Sequence, residues 1–355
     1  MKPHHGSGLS SLSLWCRNSV WVLTASLVCL SLVRCGLPRK TTAVPVVNQP
    51  VSTTRVFDDF VAVIVQPGDT LSSLAERYLH NPAKGWFIAE FNDVTTIKPG
   101  QVIFIPRKPY HRGGLSLYGY QTVPVLCYHR FSKTESDKMT VRESDFIDQM
   151  QFLHDHGYHV ISLDQLLGFL DFKEQVPRKS VVITIDDGWR STYDIAYPVL
   201  RRYNYPATLF VYTNLITGSS KTLSWDLVKE MHAHGIDMQC HTKTHRSLHW
   251  KRDEESFPQY FKAVLGELND SCGILKEQLH QDMRYLAYPY GDTNNLVIAL
   301  LQEKGFKAAF TVKRGTNPFF ENRFRLYRSM IYGEYGLNDF RRNLEVFASF
   351  KGNNP

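Results

Sequence analysis

A run of β-branched and apolar residues that ends at two acidic ones constrains this chain more than any other feature. Residues 180–185 read Ser-Val-Val-Ile-Thr-Ile and are followed by Asp186, Asp187 and Gly188. Such a run is typical of a strand buried on both faces, as in parallel sheets flanked by helices. Catalytic groups in these folds gather at the carboxyl ends of strands, so we expect both aspartates at a functional edge. A plain turn is the alternative, because adjacent aspartates before glycine are also common in turns.

A second motif supplies two imidazoles. Residues 241–245 read His-Thr-Lys-Thr-His and follow residues 235–240, which resemble another short strand. A helical turn, or a tight loop entering a helix, would point His241 and His245 in one direction. A catalytic zinc takes three protein ligands and keeps one position open, so one of the aspartates would join the histidines. The alternative is an exposed helical pair of histidines that binds no metal.

Three motifs, in order, resemble those of the polysaccharide deacetylases of carbohydrate esterase family 4. Residues 183–211 resemble the first motif region, residues 241–245 the second, and residues 286–291, Leu-Ala-Tyr-Pro-Tyr-Gly, the third. The similarity extends from about Val123 to about Tyr332. Residues 123–130 are similar to the opening strand of the branch that includes the bacterial poly-N-acetylglucosamine deacetylases.

The resemblance implies an α/β fold, a distorted parallel (β/α) barrel of about seven strands. The sequence pattern agrees with it, because helical and extended segments alternate. Helices are predicted near residues 146–153, 194–203, 224–233 and 294–304, and strands at 159–163, 207–212 and 308–312.

The family resemblance also implies a metal centre. Asp187, His241 and His245 would hold a divalent cation, and Asp186 would stay unligated as the general base. We expect zinc, although a site of this composition also accepts cobalt, nickel or iron.

Two further roles follow from the resemblance. The backbone amide of Tyr290 would stabilise the oxyanion formed when water attacks, although the Tyr-Pro-Tyr-Gly sequence also fits a plain turn. His129 would be the general acid, its alternative being a core histidine. The chain departs from many relatives at Ala287, where they carry an arginine that orients the base. Arg328 would substitute for it, or Asp186 would remain unpaired.

Residues 61–107 resemble a lysin motif, a small βααβ unit. The pattern shows a strand, a Pro-Gly turn with Asp69 or Thr70 capping a helix, a second helix, another Pro-Gly turn and a closing strand. Lysin motifs bind chains that contain N-acetylglucosamine. The residues expected to contact glycan are Gly68, Asp69, Thr70, Ile97 and Lys98, and a spacer role without binding is the alternative.

The N-terminal region is predicted to direct export. Residues 19–33 form an uncharged, mostly apolar run, which is shorter than the about 20 residues of a membrane-spanning helix and suits a signal peptide. We therefore expect a signal peptide or membrane anchor at 1–35, a disordered spacer at 36–60 and a protein of the periplasm or cell envelope. Cys35 is a candidate lipid attachment site, although Arg34 fits such a site poorly.

The predicted organisation continues with the lysin motif at 61–107, a linker at 108–122 and a deacetylase domain at 123–350. The net charge of +7 favours anionic envelope polymers or lipid headgroups as partners. No concentrated basic run accompanies it, so a nucleic-acid partner is not expected. Only Cys127, Cys240 and Cys272 lie outside the export region, and we interpret Cys127 and Cys240 as buried packing residues. We expect the protein to be a monomer.

Two classes of function fit these features. The first is a metal-dependent deacetylase that removes acetyl groups from N-acetylglucosamine residues of peptidoglycan or secreted poly-N-acetylglucosamine. The second is a noncatalytic glycan-binding envelope protein with a degenerate deacetylase fold. The sequence leaves the polysaccharide open, as well as N- versus O-deacetylation.

Overall fold

The structure describes residues 53–350 of the computed structural model, and their strands form a three-stranded sheet, a ten-stranded sheet and a two-stranded sheet. The predicted export segment and most of the predicted spacer lie outside these residues. The first part of the described chain, which we name the small module, has three strands and two α-helices, with a short 3-10 helix (Pro82–Lys84) between the α-helices. The strands and α-helices are β1 (Thr54–Val56), β2 (Phe60–Ile64), α1 (Leu71–Leu79), α2 (Gly85–Asn92) and β3 (Val102–Pro106).

The small module folds around alternating strand residues. β2 lies between β1 and β3 in an antiparallel sheet, and its inward side chains pack against both helices. Thr70 caps α1 by accepting a hydrogen bond from the Ser73 amide. Asp69 does not cap this helix, because its carboxylate accepts hydrogen bonds from the Gln66 amide and from Arg77 instead. The predicted βααβ order is therefore present, preceded by the extra strand β1.

The larger part of the chain alternates strands with helices. Its strands are β4 (Gly119–Tyr128), β5 (Arg130–Ser132), β6 (Thr140–Arg142), β7 (His159–Val160), β8 (Ser180–Asp187), β9 (Thr208–Val211), β10 (Asp237–Cys240), β11 (Tyr285–Ala287), β12 (Ala308–Phe310), β13 (Thr316–Pro318), β14 (Ser329–Met330) and β15 (Phe347–Ser349). Its helices are α3 (Glu143–Asp155), α4 (Leu163–Leu170), α5 (Tyr197–Tyr203), α6 (Trp225–Ala233), α7 (Phe257–Leu279), α8 (Asn295–Glu303) and α9 (Leu337–Arg341).

The large sheet curls into a parallel barrel-like layer. β4, β8, β9, β10, β11 and β12 pair in that order, all parallel. At one edge Leu326 forms a parallel bridge with Phe310, and at the other edge β14 pairs with β4. Residues 326–330 therefore connect both edges as a seventh, irregular strand. Parallel pairing brings the carboxyl ends of these strands to one rim.

The predicted elements are largely present, with two differences. Residues 159–163 form a strand only at β7, because Ser162 caps α4 and Leu163 starts that helix. The 23-residue helix α7 was not among the predicted elements, although Ser256 and Pro258 supply an ordinary helix start. Its buried side packs into the main core through Tyr260, Val264, Leu268 and Leu275. Between residues 53 and 350, no helix is long and apolar enough to cross a membrane.

The small module contacts the end of the large sheet where β8 begins. The Tyr110 ring packs against Phe87 and Phe91, and its amide donates a 3.1 Å hydrogen bond to Gln175. The Arg178 amide donates a 2.8 Å bond to the Glu90 carboxylate. Since Arg178 precedes β8 and the two aspartates end it, this contact lies at the opposite end of the strand from them.

Phe146 provides a test of the core. Its ring is 0% exposed and contacts Tyr128 and Phe131, so Phe146→Ala leaves a cavity and is expected to lower the free energy of unfolding by about 3–5 kcal/mol. Denaturant unfolding measures this change. Phe257→Ala is the control, because that ring is 62% exposed and its loss is expected to cost less than about 0.5 kcal/mol. Equal losses for both variants would contradict the packing described here.

Candidate active site

The two histidines and two aspartates meet at the carboxyl rim of the sheet. Asp186 and Asp187 end β8, and His241 follows β10, two strands away. Residues 241–245 form a loop in which Thr242 and His245 have positive φ angles of 72° and 61°. The Thr242 hydroxyl accepts a bond from the His245 amide and closes this loop. The predicted helical turn is therefore wrong, whereas the tight loop is present without a following helix.

Asp187, His241 and His245 can hold a metal ion. Their ligand atoms lie within 4.8 Å of one another, and Asp187 Oδ1 is 3.7 Å from the Nε2 atom of each histidine. Tetrahedral zinc with bonds of about 2.0–2.1 Å separates its ligands by roughly 3.3–3.5 Å, so the two distances from Asp187 to the histidines need only a small contraction. One carboxylate and two imidazoles also form the three-ligand set of a catalytic site with an open position.

The ring orientation of His241 suits a ligand. Its Nδ1 lies 2.7 Å from the Ala287 carbonyl oxygen, which can only accept, so Nδ1 carries the proton. Nε2 is then left with a lone pair facing Asp187. For His245, burial and the neighbouring His241 lower the pKa to about 4, which keeps that ring neutral near pH 7.

Asp186 is paired with a buried arginine. Arg328 is 0% exposed and donates two bonds to this carboxylate, Nη1 to Oδ1 at 2.6 Å and Nη2 to Oδ2 at 2.8 Å. Its Nε donates to the Thr311 carbonyl, and the guanidinium lies over the Phe210 ring. Of the two options left open by the sequence, the structure supports the one in which Arg328 replaces the arginine missing at Ala287.

This pairing keeps Asp186 ionised. Burial by itself would raise the pKa of Asp186, but the charge of the Arg328 guanidinium holds that pKa well below its usual range. The Cys127 thiol donates a further, 3.5 Å bond to Oδ2. Cys127 and Cys240 are both buried and unbridged, in agreement with packing roles. Asp186 Oδ2 is 3.9 Å from His241 Nε2, so the free carboxylate lies directly beside the candidate metal site.

His129 reaches the same site from the end of β4. One of its ring nitrogens lies within 4.8 Å of an Asp186 carboxylate oxygen. Burial lowers the pKa of His129, an effect that the two nearby aspartates oppose. The structure thus places His129 beside Asp186, where a general acid would have to lie. The role of His129 as the general acid remains a prediction.

Tyr290 lies over the centre in a strained turn. It has a φ of 60° between Pro289 and Gly291, and its ring is 64% exposed and 4.8 Å from the His245 ring. The Gly291 position admits only glycine, because a Cβ there would lie 2.5 Å from the Val312 backbone nitrogen. The turn therefore holds Tyr290 at the site, and the proposed role of its amide remains a prediction.

Trp189 contacts the carboxylate of the candidate metal ligand Asp187, a role that the sequence did not predict. The Trp189 indole N–H donates a 2.8 Å bond to Asp187 Oδ2, the oxygen that does not face the histidines. The guanidinium of Arg130 covers the Trp189 ring at 5.6 Å. Trp189 thus orients Asp187 so that Oδ1 alone points to the centre. Its position two residues after Asp187 was the available signal.

The predicted glycan-contacting residues of the small module lie apart from this rim. Gly68, Thr70 and Lys98 are exposed, whereas Asp69 and Ile97 are partly buried. The amide of Gly100 donates to the Val65 carbonyl, which joins the two loops that carry them. Because the Asp69 carboxylate is already engaged, the exposed loop residues are the ones available to a ligand.

Both domains match known protein families. Residues 173–309 match the polysaccharide deacetylase family, and residues 63–106 match the LysM domain, the lysin motif of the sequence prediction. The predicted family resemblance is confirmed for both parts of the chain.

Two curated relatives are named as N-deacetylases. The poly-beta-1,6-N-acetyl-D-glucosamine N-deacetylase of Staphylococcus epidermidis is 29% identical over 204 residues, covering 56% of this chain and 70% of the relative. The enzyme of the same name from Staphylococcus aureus strain MRSA252 is 27% identical over 192 residues, covering 52% and 66%.

Solved structures confirm the fold class. The Streptococcus pyogenes deacetylase PplD, solved in complex with acetate, has a TM-score of 0.56 and 28% identity over 63% of this chain and 98% of that one. A de-N-acetylase from Aggregatibacter actinomycetemcomitans has a TM-score of 0.57 and 23% identity, over 63% and 100%, and supports the fold alone. The predicted α/β class with a parallel barrel is confirmed.

The buried ion pair generates one prediction. Arg328→Met leaves Asp186 charged and unpaired in the interior, so we expect the free energy of unfolding to fall by about 3–5 kcal/mol. Denaturant unfolding in the presence of a chelator measures this change. The double variant Asp186→Leu with Arg328→Met removes both charges and is expected to recover most of the loss. A double variant no more stable than Arg328→Met would contradict the pairing.

The hydrogen bond from Trp189 to Asp187 generates a second prediction, which concerns metal affinity. Trp189→Phe keeps an aromatic ring under Arg130 but removes the donor to Asp187, so zinc affinity is expected to fall about 10- to 100-fold. Competition with a chromogenic chelator measures the dissociation constant. Trp225→Phe is the matched control at the start of α6, and it should bind zinc like the unmodified protein. Unchanged affinity in Trp189→Phe would show that Asp187 needs no such donor.

Proposed function

We propose that this chain, which joins a LysM domain to a polysaccharide deacetylase domain, is a metal-dependent N-deacetylase of N-acetylglucosamine residues in an envelope or extracellular polysaccharide. The observation that carries the proposal is the Asp186 carboxylate, which Arg328 holds ionised and which lies 3.9 Å from the candidate metal ligand His241. A protein that only binds glycan has no use for a buried base in that place. The names of its relatives supply the substrate class.

The proposed reaction is hydrolysis of an acetamide. Asp187, His241 and His245 would hold the cation, which when bound acidifies a water and polarises the acetyl carbonyl. Asp186 accepts the proton of the attacking water, and the Tyr290 amide donates to the developing oxyanion. His129, close to Asp186, takes up this proton and delivers it to the departing amine. Because the proton lost by water ends on the amine, His129 needs no charge in the free enzyme, in agreement with its lowered pKa.

We expect zinc as the metal, since two imidazoles and one carboxylate form a frequent ligand set of catalytic zinc. Cobalt, nickel or iron would fit the same donors, and availability would then decide.

The LysM domain would hold the enzyme on a polymer that contains N-acetylglucosamine. Exposed Gly68, Thr70 and Lys98 would contact the glycan. The apolar run at 19–33 would direct export to the periplasm or cell envelope, as a cleaved signal, an uncleaved anchor or with a lipid at Cys35. We propose a monomer, since one chain carries all the site residues.

The noncatalytic alternative has lost its main support. It rested on two departures from the family, the missing arginine at Ala287 and the missing histidine near Arg328. The two bonds from the Arg328 guanidinium to Asp186 support Arg328 as the substitute for the missing arginine, and we propose His129 in place of the missing histidine.

Acetate release tests the function. The purified protein, supplied with zinc, should release acetate from poly-N-acetylglucosamine or chitin oligomers and lose this activity with a chelator. Asp186→Asn should bind zinc but lose at least about 100-fold in turnover, within the range of a general base, whereas His241→Ala should lose both. Near-normal turnover of Asp186→Asn would exclude it as the base, and no acetate from any such polymer would refute the enzyme.

A further inference from the structure

The loop that carries both histidine ligands is closed internally by the bond from the His245 amide to the Thr242 hydroxyl, but it belongs to neither a helix nor a strand. It leaves β10 at Cys240 and enters no helix. Thr242 and His245 both occupy the left-handed region, which costs a non-glycine residue about 1–2 kcal/mol each. A loop of this kind keeps one shape only when contacts from outside it over-determine that shape.

The amides of Thr213 and Asn214 supply two of those contacts by donating to the Thr242 and Lys243 carbonyls, and one buried carboxylate supplies three more. Glu267 Oε2 accepts hydrogen bonds from the amides of Lys243 and Thr244, at 2.9 and 2.8 Å, and Oε1 accepts one of 2.6 Å from the Thr244 hydroxyl. Both amides lie between His241 and His245. The carboxylate therefore holds the middle of the segment whose two ends are the ligands.

Glu267 is itself rigidly held. It is 8% exposed and lies on α7, whose neighbouring residues Val264 and Leu268 pack in the main core. One turn further along, the Ser271 hydroxyl donates to the Glu267 carbonyl and contacts the Cys240 sulfur, 3.2 Å away. Helix α7 is thereby joined both to the end of β10 and to the loop that follows it.

We infer that Glu267 is a positioning residue that sets the spacing of His241 and His245 through its hydrogen bonds rather than through its charge. The inference rests on the proposed metal site. It assigns α7 a function beyond packing, because the helix carries the acceptor that shapes the ligand loop. An acidic residue on the apolar side of a helix is otherwise unfavourable to bury, and its two amide donors account for its place there.

Three substitutions separate geometry from charge. Glu267→Gln loses the charge but keeps the shape, since its carbonyl oxygen can accept from both amides while its NH₂ donates to the Thr244 hydroxyl. Glu267→Asp keeps the charge but is one methylene too short to reach the amides. Glu277→Leu is the control, an exposed glutamate on the same helix.

Zinc dissociation constants of the full chain, measured by chelator competition, give the result. We expect Glu267→Gln within about threefold of the unmodified protein and Glu267→Asp weakened about 10- to 100-fold, the range for second-sphere partners of metal ligands. Glu277→Leu should be unchanged. Circular dichroism of each zinc-free variant verifies that it is folded.

The opposite order, with Glu267→Asp tight and Glu267→Gln weak, would overturn the inference in favour of a charge effect. Equal affinity in both variants, whether retained or lost, would also overturn it. Failure of the unmodified chain to bind zinc would instead refute the metal site itself, so the two failures are distinguishable.

Discussion

The pairing of Asp186 with Arg328 is the interaction on which the candidate site depends. A carboxylate buried at the end of a central strand would be costly to ionise alone, and a neutral one would be a poor base. Arg328 resolves this by two short bonds in the interior of the curled sheet. The arginine is in turn held by the Thr311 carbonyl and the Phe210 face, so the charge pair is part of the core.

The candidate metal ligands were predictable because their signals are local. Asp187 ends a strand that the sequence marks clearly, and His241 and His245 stand in one short motif. The same holds for the LysM helices and for α6 and α8, where Ser224 and Asn294 act as caps. In each case a few adjacent residues determine both the element and its end.

The supporting contacts were not predictable, because they join distant segments. Arg328 is 142 positions from Asp186, and Glu267 is more than 20 from the loop it holds. Sequence reasoning could name Arg328 as a candidate but could not place its guanidinium. It also left the shape of residues 241–245 open, since a histidine spacing of four suits both a helical turn and the observed loop with positive φ at Thr242.

The position of Arg328 near the C-terminal end has a consequence for biosynthesis. All three candidate metal ligands and Asp186 are translated before the segment 326–330 that links the sheet edges. Until that segment docks, the nascent chain can present its ligands but lacks the guanidinium that pairs with the charge of the Asp186 carboxylate. The chemical centre is therefore finished last, and a product cut short before Arg328 would retain the ligand motifs while lacking a stable interior for its base.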